Sequence, residues 1–243
     1  MSFAESFAES LEGRPGLQRG AAQLPSIFTI GNLFFGFAAV IRALHHDFGT
    51  AAELIVVAGI LDALDGRIAR LTNSCSAFGA ELDSLADLVS FGVAPAVIAY
   101  QWGLVPHGQP FLAAFAFVLA AAVRLARFNV HSHETDGTCF TGLPSPAAAG
   151  LVVSLVALHP ASPVGGVAGF LVPAVLIVAA ILMISPIRYP SFKRVKVRPH
   201  PSHVVAVAVV ALVLIALEPT ATLLVAAWGY AASGPVRALV RRS

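Results

Sequence analysis

Charge is scarce in this sequence. Its 243 residues include only 15 Lys and Arg and 13 Asp and Glu, which is 12% charged, where a soluble globular chain carries about 25%. Hydrophobic residues make up 57% and the mean hydropathy is +0.82. Together these exclude a sizeable separate soluble domain and a nucleic-acid-binding surface. Cysteine is nearly missing. Cys75 and Cys139 fall in different predicted loops, form no CxxC pair, and are expected to be reduced thiols. Residues 1–22 lack a long apolar core, so no cleavable signal peptide is expected there. No internal repeat or low-complexity tract stands out.

Long apolar runs are present in abundance. A spanning helix needs about 20 apolar residues, and on that rule eight spans are expected, near 25–44, 50–71, 79–101, 110–129, 143–159, 164–186, 202–217 and 219–233. The expected fold is therefore an all-α polytopic membrane bundle. Residues 1–22, with Phe3, Phe7 and Leu11 at i, i+4 and i+8, read as a juxtamembrane amphipathic segment. A membrane domain would cover 23–200, and two further spans with a basic tail would cover 201–243. Cytoplasmic loops are enriched in Lys and Arg. With eight spans and both termini in the cytoplasm, every basic residue except Arg42 falls inside.

Acids within membrane segments are costly, so their default reading is functional. The second and third spans carry Asp62, Asp65, Asp83 and Asp87, all at the cytoplasmic edge in this topology. Residues three or four apart share a helix face, so these are two pairs able to converge from adjacent antiparallel helices. Such a set requires cations, and hard oxygen ligands select Mg²⁺ or Mn²⁺. Ion pairing of the acids with Arg67 and Arg70 would leave at least two acids over. A transporter pathway would place its acids near the midplane. Gly66 permits close backbone approach to a ligand, Arg70 offers a phosphate fork, and Gly79 is expected to let the third span pack closely on the second. The polar loop His131–Gly137 reads as solvated rather than as a metal site.

The run Asp62-x2-Asp65-Gly66-x2-Ala69-Arg70-x8-Gly79-x3-Asp83-x3-Asp87 resembles the signature of the CDP-alcohol phosphatidyltransferases at every position. That resemblance implies a membrane enzyme that passes a substituted phosphate from a CDP-linked lipid to an alcohol and releases CMP. It implies two divalent cations, with Asp62, Asp65, Asp83 and Asp87 as ligands and Asp87 also as general base. It implies contacts to the CDP-lipid from Gly66, Arg70 and Ser76; Thr29 and Asn32 are added as candidates on the first span. Asn32 has two readings, a contact to cytosine or phosphate and an interhelical hydrogen bond.

Four further stretches resemble the phosphatidylserine synthase branch of bacteria and archaea. They are Leu24–Phe37, Ser90–Ala96, Arg124–Asn129 continuing to Phe140–Pro146, and Arg188–Lys193. The branch implies CDP-diacylglycerol and L-serine as substrates, the inner membrane as location and a homodimer. Serine presents a carboxylate and an ammonium, so Arg124, Arg127 and Asn129 at the end of the fourth span are candidate serine contacts; the alternative for the arginines is snorkelling to headgroups. Lys193 and Arg194 are candidate phosphate or lipid contacts. No HxK followed by an acid occurs, which sets the chain apart from synthases that use a phosphohistidine. Glycerol phosphate, an inositol phosphate or choline stay open as acceptors.

Overall fold

The computed structural model describes residues 27–71, 76–105, 108, 111–131, 139–161, 166–190 and 218–240. The amphipathic segment 1–22, the span near 202–217, Lys193, Arg194 and most of the His131–Gly137 loop lie outside them. The described chain is helical: α1 Ile27–Leu44, α2 Phe48–Leu71, α3 Ala77–Leu104, α4 Leu112–His131, α5 Ser145–Leu158, α6 Gly166–Ile184 and α7 Pro219–Val240. Seven of the expected spans thus correspond to helices. Of the described helices, Ile27–Leu44, Phe78–Leu104 and Leu112–Val130 are long and apolar enough to cross a membrane on their own length and composition, and Ser145–Leu158 and Phe170–Ile184 are shorter apolar helices. The expectation of an all-α fold needs one addition. Two three-residue strands, β1 Cys139–Thr141 and β2 Arg188–Pro190, pair antiparallel with Phe140 opposite Tyr189.

Packing is inverted relative to a water-soluble bundle. Ala39, Ala43, Ala51, Ala58, Ala120, Ala121, Ala148 and Ala149 are buried, while Ile27, Phe34, Phe37, Phe115, Phe170 and Ile181 are exposed. Lipid tails are as apolar as leucine, so small residues at helix contacts gain close packing and large ones face the bilayer. In α1 the two classes fall on separate stripes. Thr29, Asn32, Gly36, Ala39 and Ala43 are buried, and Ile27, Ile30, Phe34, Phe37, Ile41 and Leu44 are exposed.

The turn between α1 and α2 sets the first hairpin. His46 adopts φ 59, the left-handed conformation that closes a helix C-terminus. Asp47 N–H then returns to Arg42 O at 3.0 Å and His46 N–H to Ala43 O at 3.0 Å. Asp47 also starts α2, its Oδ1 accepting from Thr50 N–H at 3.3 Å. Arg42 lies 3.7 Å from Asp47 in an exposed ion pair, a contact that contributes little energy. This tight reversal lays α1 along α2 and brings Thr29 and Asn32 opposite the acids.

α3 is not a uniform α-helix. It is α-helical over Ala77–Asp87, widens to π geometry over Leu88–Val93, returns to α over Ala94–Ala99 and widens again over Tyr100–Leu104. Ala94 N–H bonds Val89 O, five residues back. Proline lacks an N–H and clashes with the carbonyl four residues before it, and the widened turn ahead of Pro95 accommodates both effects. At the far end Trp102 Nε1 donates to His159 O at 3.0 Å and Ala161 O at 3.1 Å, tying α3 to the end of α5.

Candidate active site

The site forms where α1, α2 and α3 meet. Carboxylate oxygens of Asp62, Asp83 and Asp87 lie within 4.8 Å of one another, each residue half-buried. Asp65 is not in that group. It is buried and accepts a hydrogen bond from the Thr29 hydroxyl. Asn32 is fully buried, and its Nδ2 donates to Asp87 Oδ1 at 3.1 Å. Asn32 thus makes an interhelical hydrogen bond. Thr29, expected to face the CDP-lipid, is engaged with Asp65.

Local sequence explains how α1 comes so near. Ser90 Oγ donates to Asn32 O at 2.9 Å, and a Cβ on Gly36 would lie 2.1 Å from that same oxygen. Only a glycine at 36 lets the π turn of α3 seat against α1. Ser90 and Gly36 therefore position Asn32, and neither was singled out as a site residue from sequence. The signal for the irregular turn was present in Pro95, a proline inside an otherwise continuous apolar span.

The other candidates divide. Ser76 Oγ accepts from Gly79 N–H at 2.9 Å as the N-cap of α3. A Cβ on Gly79 would sit 3.0 Å from that oxygen, so the glycine leaves room for the Ser76 cap. Gly66 is exposed, and a Cβ there would meet nothing within 4 Å, leaving room for a ligand. Arg70 lies in the last turn of α2. Arg124 Nη1 donates to the buried Ser145 Oγ at 3.1 Å, and Arg124 is within electrostatic reach of Asp87. Arg127 is exposed and donates to Ile184 O, the last carbonyl of α6, at 2.9 Å. Asn129 Oδ1 accepts from Ser84 Oγ at 3.1 Å, and its Nδ2 donates to Glu81 Oε2 at 3.2 Å. Of the candidate serine contacts, Arg124 is within electrostatic reach of Asp87, and Asn129 bonds residues on either side of Asp83 in α3.

The donor set fits divalent cations. Three carboxylates this close repel unless positive charge lies between them, and carboxylate oxygens are the donors that Mg²⁺ and Mn²⁺ take. Asn32 Oδ1 is a further buried oxygen with no hydrogen-bond partner among the described residues. An apolar groove of about 380 Å³ runs between α2, α3, α5 and α7, lined by residues including Ile55, Ile60, Arg67, Phe91, Val153 and Leu223.

Comparison with known proteins agrees with this geometry. The sequence is 44% identical over 174 residues to a Helicobacter pylori protein named CDP-diacylglycerol--serine O-phosphatidyltransferase, covering 71% of this chain and 73% of that one. Proteins of the same name from Bacillus subtilis and Methanocaldococcus jannaschii are 35% and 37% identical over 175 and 165 residues. Those alignments cover 70% and 68% of this chain, and 92% and 72% of the relatives. The sequence pattern of the CDP-alcohol phosphatidyltransferase family matches residues 22–185, a stretch that takes in α1 to α6 and all four aspartates, and the chain belongs to that family.

Proposed function

We propose that this chain transfers the phosphatidyl group of CDP-diacylglycerol to the hydroxyl of L-serine and releases CMP. The observation that carries the reading is the meeting of Asp62, Asp83 and Asp87 in a chain whose relatives bear the name of that activity.

Asp62, Asp65, Asp83 and Asp87 would hold two divalent cations, Mg²⁺ or Mn²⁺, which when bound offset the clustered charge and stabilise charge developing on the diphosphate. Asp87 takes the proton of the serine hydroxyl. Asn32, donating to one Asp87 oxygen, fixes the carboxylate so that its other oxygen faces the acceptor. The serine oxygen attacks the phosphorus attached to diacylglycerol, and the bond from that phosphorus to the CMP oxygen breaks. Gly66 leaves space for the nucleotide, and Arg70 and Ser76 would contact its phosphates. Arg124 offers its guanidinium to the serine carboxylate. The groove bounded by Ile55, Phe91 and Leu223 suits an acyl chain of the donor, and Lys193 and Arg194 would attract its phosphates.

In this reading the chain has eight spans with both termini cytoplasmic, as a membrane domain over 23–200 followed by two spans and a tail over 201–243. It works as a homodimer in the cytoplasmic membrane, with the acids at the cytoplasmic edge. One substrate arrives from the bilayer and the other from the cytosol.

The test is CMP release from CDP-diacylglycerol with Mn²⁺ and, separately, serine, glycerol phosphate or an inositol phosphate. Serine-dependent release that disappears in Asp87→Asn supports the proposal. Release with another alcohol alone would keep the family and reject serine. No release with any alcohol would leave an ion transporter as the better account.

A further inference from the structure

The stretch of α3 that carries Asp83 and Asp87 is thinly packed. From Phe78 to Asp87 only Ala86 is buried, while Phe78 and Leu85 are exposed. From the π turn at Leu88–Val93 onward α3 differs: Ser90, Phe91, Ala94, Ile98 and Trp102 are all buried. Apolar burial therefore seats the later part of the helix and leaves the acid-bearing part to be held by polar contacts.

Two such contacts come from one side chain. Asn129 lies in the last turn of α4. Its Oδ1 accepts from Ser84 Oγ at 3.1 Å, and its Nδ2 donates to Glu81 Oε2 at 3.2 Å. The amide is used as acceptor and donor at once, which defines the way it faces. Glu81 and Ser84 are three residues apart and share a face of α3. Asp83 and Asp87, four apart, share another, about 110° around the helix. α4 thus grips α3 on one face while the acids leave from a different one toward Asp62. A second tie, the bond from Asn32 of α1 to Asp87, holds the acid face itself.

We infer that Asn129 is a positioning residue for the acid cluster. Its two hydrogen bonds hold the start of α3 where Asp83 and Asp87 meet Asp62, and they thereby set the affinity of the site for a divalent cation. This role rests on the cation reading proposed above and is independent of which alcohol is the acceptor. It differs from contact with a serine substrate.

The test is Mn²⁺ binding to the full, substrate-free chain in detergent–lipid micelles, followed by the electron paramagnetic resonance signal of free Mn²⁺. Wild type is compared with Asn129→Ala, Ser84→Ala and the double variant Asn129→Asp/Glu81→Gln. The double variant keeps the net charge and rebuilds the bond to position 81 with donor and acceptor exchanged, while Ser84 still donates. Asn129→Ala is expected to raise the Mn²⁺ concentration for half-saturation about tenfold, the scale of one or two lost hydrogen bonds, and the double variant to stay within about threefold of wild type. Ser84→Ala, which removes one bond, raises it about threefold and decides the matter if Asn129→Ala does not fold. KM for serine at saturating Mn²⁺ changes by less than about twofold in Asn129→Ala. Wild-type half-saturation in Asn129→Ala, or a double variant as weak as Asn129→Ala, would overturn the inference. So would a raised KM for serine with Mn²⁺ binding unchanged, which would make Asn129 a substrate contact. A chain that is merely destabilised shows fewer Mn²⁺ sites at unchanged affinity, and that result also overturns it. A wild-type chain that binds no Mn²⁺ would overturn the cation reading as well. A wild-type chain that binds Mn²⁺ yet releases no CMP with serine would reject the proposed activity and leave this role standing.

Discussion

Asn32 Nδ2 and Asp87 Oδ1 lie 3.1 Å apart across 55 positions of sequence. The bond joins the first half of α1 to the last residue of the α-helical start of α3. It gives Asp87 one fixed oxygen and one available oxygen. A hydrogen bond to a charged group is worth about 1.5–3 kcal/mol. Asn32→Ala is therefore expected to lower kcat by about 10- to 100-fold, with folding retained. Asn32→Asp should be more harmful, because it adds a like charge beside Asp87. Steady-state CMP release at saturating substrates checks this, and an Asn32→Ala variant with wild-type kcat would contradict it.

Gly36 offers a test of the geometry itself. Its missing Cβ would lie 2.1 Å from Ser90 Oγ and 2.7 Å from Ser90 Cα. Gly36→Ala should separate α1 from α3 and destabilise the protein by about 1–3 kcal/mol, the usual cost of overpacking. Ser90→Ala should not rescue it, because the backbone contact stays. Thermal unfolding of the purified protein in detergent reports the first effect, and the double variant reports the second.

The acid cluster predicts dependence on divalent ions. A chelator should abolish CMP release, and added Mn²⁺ or Mg²⁺ should restore it. Asp87→Asn is expected to lose about 10²–10⁴-fold in kcat, the range for removing a general base. Asp62→Asn and Asp83→Asn should chiefly raise the metal concentration needed for half-maximal activity. Thr29→Val, which removes only the hydroxyl bonded to Asp65, should act more mildly than any of the three. Activity that persists undiminished in chelator would rule out this arrangement.

Topology can be checked with the native thiols. With eight spans and a cytoplasmic N-terminus, Cys75 and Cys139 both face the cytoplasm. A membrane-impermeant maleimide should label them in inverted vesicles and spare them in intact cells. Labelling of either from outside would refute the span count.

Much of this was legible in the sequence because the bilayer imposes simple rules. Length and apolarity located the seven described helices, and helix periodicity paired Asp83 with Asp87. Periodicity was less informative about Asp65. It shares a face with Asp62, yet the Thr29 hydroxyl engages it while Asp62 joins Asp83 and Asp87. Ser76 likewise matched a spacing, but its oxygen is used to start α3. Arg127 and Asn129 carried suitable chemistry for serine; Arg127 bonds Ile184, and Asn129 bonds Ser84 and Glu81. Except for the local cap at Ser76, these outcomes depend on partners 36 to 57 positions away, which no local pattern encodes. Glycine at 36 was visible as a residue, but its purpose depended on where Ser90 would arrive.

The π turn over Leu88–Val93 also fixes an angle. Widening a helix by one residue offsets everything before it from everything after it by about 100° around the axis. Asp83 and Asp87 lie on one side of that offset, and the buried Pro95, Ile98 and Trp102 lie on the other. Deleting a single residue between Asp87 and Pro95 would hardly alter the apolar character of the span. The end bearing Pro95, Ile98 and Trp102 would still pack as before, but the two acids would be turned away from Asp62, like a key cut correctly and inserted at the wrong rotation.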